Sequence, residues 1–237
     1  MIKTISATSL NLYTTCPLQW KFRYIYKLLQ PDNPAFIVGT AYHKSLELFH
    51  TGGETVDIME EMKKDLMPNK TKEEIERFAI VRKMFDKYKD FPSEGETQQV
   101  EYKFELPLDD LLGEDVKLIG FIDRVTPESI IDYKTTSLDF TEEDCIKNVQ
   151  TDIYSYVMWK EKGFFPNVTY HIMNKKKVSR DGYEPQIITI KRNEDDMARL
   201  EEKIKEFYKN VNDEKFEYNC DTHCFWCPYR YYCNKKK

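Results

Sequence analysis

Apolar side chains recur every three or four residues over much of the chain, a spacing that predicts amphipathic helices. The first helix begins near Ser6 or Thr8, both cap-forming residues, and ends at Cys16-Pro17. Thr141 opens a later helix, because a cap residue followed by acidic side chains suits a helix N-terminus. The periodicity predicts further helices over 18–29, 36–50, 56–67 and 72–91, then over 141–163 and 195–211.

The apolar pattern changes to alternation over 98–106, which predicts a strand that Pro107 ends. Two apolar runs, 117–125 and 129–135, flank a Thr-Pro-Glu-Ser turn and predict a β-hairpin. With the preceding strand they make a predicted meander. Further strands are predicted at 167–174 and 184–191.

The predicted hairpin brings charged side chains together on one face. If the pairing is symmetric about the turn, Asp123 lies opposite Asp132 with Cβ atoms roughly 5 Å apart. Alternation along the strand places Lys134 on the same face. Carboxylates this close repel each other, and a Mg²⁺ or Mn²⁺ ion between them would relieve the repulsion. Two solvated aspartates and a surface lysine explain the pattern equally well, so both interpretations stay open.

Composition narrows the classes of function. At 237 residues one large domain is expected, and no apolar run or signal-peptide pattern indicates a membrane, so we expect a cytosolic protein. The net charge of −5 argues against a polycationic nucleic-acid binder, although local clusters can still bind DNA. Basic clusters occur at 21–27, 175–180 and 235–237. Taken alone, each of these clusters is more typical of a solvated surface than of a DNA-binding site.

The cysteines indicate a metal or cluster site. Cys224-x₂-Cys227 followed by Cys233 is a strong metal-ligand spacing, whereas the isolated Cys145 is expected to be a plain thiol. A zinc site would add Cys220 or His223 to these three. A [4Fe–4S] cluster would instead recruit Cys16 as a distant fourth ligand, which makes better sense of Cys16-Pro17. Spacing alone leaves both possibilities open.

Two predicted helices carry polar pairs four residues apart, which places both members on one helix face. These pairs are His43 with Glu47 and Gln150 with Tyr154. Gly39, one turn before His43, suggests that another segment approaches this helix closely. Taken alone, each pair is more typical of an ordinary helix surface than of a functional site.

Taken in order, these features resemble the RecB-like branch of the PD-(D/E)xK nucleases. More narrowly, the chain is similar to the members with an iron–sulfur clasp: the AddB-type nuclease domain and the CRISPR-associated RecB-like exonuclease family. The resemblance covers most of the chain and rests on Ser6-x-Thr8-Ser9-Leu10, Cys16-Pro17-x-x-Trp20, Gly39-x₃-His43-x₃-Glu47, Glu101, Gly120-x-x-Asp123-Arg124, Asp132-Tyr133-Lys134-Thr135, Gln150-x₃-Tyr154 and Cys224-x₂-Cys227-x₅-Cys233. Asp132 stands where many relatives have Glu, which is within the family pattern.

The resemblance implies a restriction-endonuclease-like core, with a mixed central sheet flanked by helices and a helical insertion at about 55–92. It also implies a lobe of 1–30 and 212–237 in which a [4Fe–4S] cluster joins the chain ends. The implied cluster ligands are Cys16, Cys224, Cys227 and Cys233. The implied active site consists of the Mg²⁺ or Mn²⁺ ligands His43, Asp123, Asp132 and the Tyr133 carbonyl, the catalytic Lys134, and the DNA-binding Gln150 and Tyr154.

The implied function is a metal-dependent DNA exonuclease acting on single strands or duplex ends, with some endonuclease activity also compatible. Such an enzyme would serve recombination, repair, phage DNA metabolism or CRISPR adaptation, alone, as a homo-oligomer, or beside a helicase or integrase. The alternative is a non-catalytic DNA-binding or assembly subunit with a C-terminal zinc site. Relatives of that kind normally lack the aspartates or the lysine, whereas Asp123, Asp132 and Lys134 are all present.

Overall fold

The structure, a computed structural model, describes residues 2–30, 34–91 and 95–234. The chain forms two compact units. The terminal unit consists of Met1–Asp32, Phe104–Gly120 and Asn193–Lys237. The central unit consists of Asn33–Lys103 and Phe121–Arg192.

Helices and strands are interspersed along the chain, with five consecutive helices between β1 and β2. In chain order the strands are β1 Thr4–Ile5, β2 Gln99–Pro107, β3 Lys117–Val125, β4 Ser129–Thr136, β5 Asn167–Asn174 and β6 Gln186–Lys191. The helices are α1 Ala7–Thr15, α2 Pro17–Tyr24, α3 Pro34–His50, α4 Thr55–Leu66, α5 Lys72–Lys89, α6 Asp109–Leu112, α7 Glu142–Lys147, α8 Val149–Lys162, α9 Glu194–Asn212 and α10 Arg230–Asn234. In the part of the chain that the structure describes, no helix combines the length and apolar character needed to cross a membrane.

The central unit is built on a mixed sheet. β3 pairs antiparallel with β4 through Arg124–Ile131 and Val125–Ile130, the register of a hairpin symmetric about its turn, as predicted. β4 pairs parallel with β5, and β5 pairs antiparallel with β6. With helices packed on the sheet, the predicted mixed α/β class is confirmed.

Helices cover both faces of this sheet. Ile131 and Tyr133 of β4 join a buried apolar cluster formed mainly by α3, α4 and α5. The α5 helix begins with a capping box between Thr71 and Glu74, which satisfies otherwise unpaired amide groups. On the opposite face α8 lies over β5, where Thr151 Oγ1 is 2.7 Å from the hydroxyl of Tyr170. Alternation therefore directs Asp132 and Lys134 toward the α8 side.

The terminal unit packs α1, α2 and α9 around one buried tryptophan. Trp20 is 1% exposed, donates from Nε1 to Ser9 Oγ at 2.9 Å, and meets Phe207 edge-on. Tyr13 on α1 donates to the Lys215 carbonyl at 2.6 Å, so the segment after α9 is held against α1. The short β1 pairs parallel with the first residues of β3.

Two predicted helices are wrong in extent. The helix predicted over 141–163 is two helices, because Asn148 has extended backbone and its side chain caps α8 by accepting from the Gln150 N–H. The helix predicted over 18–29 ends at Tyr24. The predicted basic tail 235–237 lies outside the described residues. Four elements were not predicted because they are too short to show a periodicity: β1, α6, α10 and a 3₁₀ helix at Thr222–Trp226.

Candidate active site

Two carboxylates of the β3–β4 hairpin, one buried and one largely buried, lie at the centre of the candidate site. Asp132 is 1% exposed, and the side chain of Asp123 is 13% exposed. One further step of the observed register places them opposite each other, as the sequence predicts. The peptide N–H of Tyr133 donates to Asp123 Oδ2 at 2.7 Å. The Asp123 carboxylate is thus fixed by the backbone of the strand that carries Asp132.

The two carboxylates differ in their tendency to bind a proton. Burial raises the pKa of Asp132, opposed by the positive charge of Lys134 and reinforced by the negative charge of Asp123. Burial also acts on Asp123, but the hydrogen bond and charge of His43 outweigh it and lower the pKa of Asp123. Opposite shifts of the two pKa values are expected where two carboxylates lie close together. A cation between them would favour the ionised form of both.

His43 reaches the site from α3. Its Nδ1 lies 3.3 Å from Asp123 Oδ1, with about a third of the side chain exposed. Burial lowers the pKa of His43, but the hydrogen bond to Asp123 and the nearby carboxylate charges raise it above its ordinary value. One turn earlier, a Cβ on Gly39 would lie only 3.4 Å from Thr135 Oγ1. The predicted close approach to this helix is therefore that of β4.

Lys134 lies between a carboxylate and an amide. Its Nζ is 2.7 Å from Asp132 Oδ2 and donates to Gln150 Oε1 at 2.7 Å. Gln150 Nε2 in turn donates to the hydroxyl of Tyr154 at 3.0 Å, and the Tyr170 ring lies 5.8 Å from the ammonium. The structure thus brings the predicted Gln150 and Tyr154 beside the predicted lysine, one helical turn apart on α8.

A third carboxylate faces the same volume without a role predicted from sequence. Glu101 lies on β2 with φ of +49°, a left-handed backbone that costs on the order of 1 kcal/mol or more for a non-glycine residue. Burial raises the pKa of Glu101, and the negative charges of Asp123 and Glu47 raise it further. Strained backbone next to buried carboxylates is typical of functional sites. Alternation along a strand contains no signal of a positive φ.

The side chain of Tyr133 extends beneath the site into a buried polar network. Its hydroxyl lies 3.0 Å from that of Tyr88, which lies 2.7 Å from His50 Nε2. Burial and the charge of Arg124 lower the pKa of His50 to about 4, so this imidazole is neutral at pH 7. The network anchors the β4 residue whose N–H holds Asp123.

The donor set suits a hard divalent cation. Carboxylate, carbonyl and imidazole groups are ligands that Mg²⁺ and Mn²⁺ take, and His43, Asp123 and Asp132 supply them around the Tyr133 peptide. Across residues 2–30, 34–91 and 95–234, no set of three or more His, Cys, Asp or Glu is arranged as a metal site. The carboxylates are paired with His43 and Lys134 instead, so metal binding would require these contacts to rearrange.

Five cysteines of the terminal unit line one cavity of about 250 Å³, and the distant Cys16 is among them. Burial raises the pKa of the Cys227 thiol, opposed by a hydrogen bond with the Tyr229 backbone and reinforced by the nearby Cys16, Cys224 and Cys233. Cys16 Sγ accepts from the Asn219 N–H at 3.5 Å. None of the cysteines described is in a disulfide. Four of the five are the predicted cluster ligands Cys16, Cys224, Cys227 and Cys233; the fifth is Cys220, and His223 also lines the cavity.

The thiols of this cavity are not arranged as a metal site either. His223 Nε2 lies 3.8 Å from Cys224 Sγ, and both residues predicted as the alternative fourth zinc ligand, Cys220 and His223, line the same cavity. Cys145, in the central unit, is buried with its pKa raised by burial to about 11, as expected for an unreactive thiol.

Comparison with known proteins identifies a nuclease family. A family model described as the PD-(D/E)XK nuclease superfamily matches residues 4–234. Among curated proteins no sequence matches that of the chain. The crystal structure of a "putative exonuclease" from Eubacterium rectale is similar, with a TM-score of 0.59, 14% identity, and coverage of 92% of this chain and 86% of that one. At this identity the similarity shows a shared fold.

Proposed function

Because the chain belongs to the PD-(D/E)XK nuclease superfamily, we propose that it is a metal-dependent exonuclease that hydrolyses phosphodiester bonds in DNA. One observation carries the proposal: the buried Asp132 and the largely buried Asp123 lie beside Lys134, whose Nζ is 2.7 Å from Asp132 Oδ2. A buried acidic pair with an adjacent ammonium is costly for a purely structural hairpin and useful for handling a phosphate.

In the proposed site, His43, Asp123, Asp132 and the Tyr133 carbonyl would hold Mg²⁺ or Mn²⁺. A bound ion would supply the positive charge that polarises a phosphate and lowers the pKa of a water molecule. The Lys134 ammonium, kept in place by Gln150, orients the attacking water or stabilises charge on the phosphate oxygens.

The substrate strand is proposed to pass along the α8 side of the site. Gln150 and Tyr154 already interact with each other there and can exchange that contact for a phosphate or a sugar. DNA as the substrate follows from the superfamily, and single strands or duplex ends are the forms that an exonuclease takes.

The proposal places the chain in the RecB-like branch with an iron–sulfur cluster. The thiolates of Cys16, Cys224, Cys227 and Cys233 would hold a [4Fe–4S] cluster in the lobe of 1–30 and 212–237. Its support is that these four side chains share one cavity although Cys16 is remote in sequence. A zinc ion held with Cys220 or His223 is the competing outcome, which metal analysis of anaerobically purified protein distinguishes.

Degradation of labelled DNA with Mg²⁺ or Mn²⁺ tests the activity. Lys134→Ala should lower the rate by at least about 100-fold, the typical cost of removing one group that stabilises transition-state charge. Lys162→Ala removes an exposed lysine at the end of α8 and serves as the control, with an unchanged rate. Equal activity in Lys134→Ala and wild type would remove Lys134 from the mechanism. DNA binding without metal-dependent cleavage by the wild type would favour the non-catalytic subunit.

A further inference from the structure

A small pocket opens where the parallel strands β4 and β5 end, in the central unit. Thr136 and Asn174 are the last pair of the parallel ladder, and both line the pocket, which has a volume of about 200 Å³. Thr136 lies two residues beyond Lys134, so alternation puts both side chains on one face, about 7 Å apart along the strand. The pocket is therefore on the same face of the sheet as the candidate active site.

Aromatic rings connect the pocket to Lys134. Phe140, which lines the pocket, has its ring centroid 6.3 Å from that of Tyr170. The Tyr170 ring centroid lies 5.8 Å from the Lys134 ammonium. A group that stacks on Phe140 is thus connected to Lys134 through two rings, those of Phe140 and Tyr170.

The polar side chains that line the pocket differ in whether they already have hydrogen-bond or ion-pair partners within the protein. Asn174 is committed to backbone, since it donates to the Leu138 carbonyl and accepts from the Lys176 N–H. Lys177 is paired with Asp139. The exposed side-chain amide of Gln186, in contrast, has no hydrogen bond to any other residue that the structure describes. It offers one acceptor and two donors to a ligand.

The loop that follows β5 is basic and is tied to the pocket. The Lys175 N–H donates to the Thr136 carbonyl at 2.8 Å, which joins this loop to the end of β4. Lys176 and Arg180 of the same loop are exposed. Positive charge beside an aromatic wall is the combination that proteins use to hold single-stranded nucleic acid.

We propose that this pocket binds one unstacked base of the DNA strand whose phosphate lies at Lys134, with the ring of Phe140 as the stacking wall and Gln186 hydrogen-bonding to the base edge. The inference rests on the proposed nuclease function. The pocket is smaller than the roughly 300 to 1,000 Å³ of sites for drug-sized ligands, so it suits a single base. A side-chain amide pairs in bidentate fashion with adenine, which makes adenine the favoured base.

The test uses nine-nucleotide single strands carrying 8-vinyladenine, a fluorescent adenine analogue that keeps the N6 amino group and N7, at each position in turn. Binding is followed in EDTA, so that cleavage does not interfere. One position should change in fluorescence when the wild-type protein binds. Gln186→Ala should weaken that response and reduce affinity about 2- to 10-fold, the loss expected for one net hydrogen bond. Gln98→Ala, the same change at another exposed glutamine of the central unit, should behave as wild type.

A wild type that gives no position-specific response, including one that does not bind the strand, would overturn the inference. So would a wild-type profile retained in both Gln186→Ala and Phe140→Leu. The same oligonucleotides are then incubated with Mn²⁺. Cleavage without a position-specific response would contradict the base-binding pocket but not the nuclease function. A position-specific response without cleavage would contradict the nuclease function but not the base-binding pocket.

Discussion

The peptide N–H of Tyr133 donates a hydrogen bond to Oδ2 of Asp123 at 2.7 Å, so the two strands of the hairpin are joined at the site by a side chain. This contact fixes the Asp123 carboxylate relative to Asp132, the residue that precedes Tyr133. The Tyr133 hydroxyl is fixed in turn by Tyr88. A chain of contacts therefore runs from the core of the central unit to the two aspartates.

Tyr88→Phe should weaken that chain of contacts without changing the packing volume. It removes the hydrogen bonds to Tyr133 and His50 and leaves buried polar groups unpaired, which costs about 1–3 kcal/mol of unfolding free energy. Urea denaturation measures the loss. Tyr102→Phe is the matched control, because its hydroxyl bonds to Glu161 at an exposed position and should cost less than about 0.5 kcal/mol. Equal losses in the two variants would contradict the network.

Acid should destabilise the protein through His171. Burial, followed by the charges of Arg124 and His50, lowers the pKa of His171 to about 4, against about 6.5 in an unfolded chain. Because the unfolded state binds the proton more tightly, the contribution is complete above pH 6.5 and is lost as the pH falls toward 4. The loss amounts to up to about 3 kcal/mol for this residue.

Urea unfolding at a series of pH values from 7.5 to about 4.5 measures this slope. His171→Phe keeps a ring in the core and should flatten the slope, since neither ring nitrogen of His171 has a hydrogen-bond partner within the described chain. A slope in His171→Phe as steep as that of the wild type would show that other groups produce the acid sensitivity.

Gly120→Ala should destabilise the terminal unit. A Cβ at this position would lie 2.5 Å from Cζ of Phe104, a fully buried ring that has little room to move. Overpacking of this kind costs about 1–3 kcal/mol, measured as a lower midpoint of thermal unfolding. Combining Gly120→Ala with Phe104→Leu should restore part of the loss. A single variant as stable as the wild type would contradict this packing.

Cys16→Ser should abolish the proposed cluster. The variant should lose iron and the visible sulfur-to-iron absorbance, because a [4Fe–4S] cluster needs four thiolates. Cys220→Ser changes an exposed cysteine of the same cavity and should retain both. Unchanged absorbance in Cys16→Ser would move the fourth ligand elsewhere, and zinc without colour in the wild type would replace the cluster.

Local patterns were sufficient to predict the centre of the site. The hairpin register follows from its turn and its apolar runs. Together with the alternation of side chains along each strand, this register brings Asp123, Asp132 and Lys134 together. The contact of Lys134 with Gln150 is different, since it depends on how α8 lies over the sheet. Spacing on a helix predicts which residues share a face but not what that face contacts.

Two other features show why the remainder was missed. The end of α7 at Asn148 had a signal, because asparagine is a strong N-cap residue, yet the apolar periodicity continues through it. The left-handed backbone of Glu101 had no signal in the sequence, because glutamate ordinarily avoids this conformation and the surrounding structure imposes it. A single sequence contains no direct signal for packing between distant segments or for backbone strain that the fold imposes.

The most direct test of the proposed nuclease is to compare wild type and Asp132→Asn in the Mn²⁺-dependent release of nucleotides from end-labelled single-stranded DNA. The substitution keeps the shape of a side chain that is 1% exposed and removes its charge. The account predicts EDTA-sensitive release by the wild type and a rate at least about 100-fold lower for Asp132→Asn, with DNA binding retained. Equal rates for the two proteins, or release that EDTA does not affect, would contradict it.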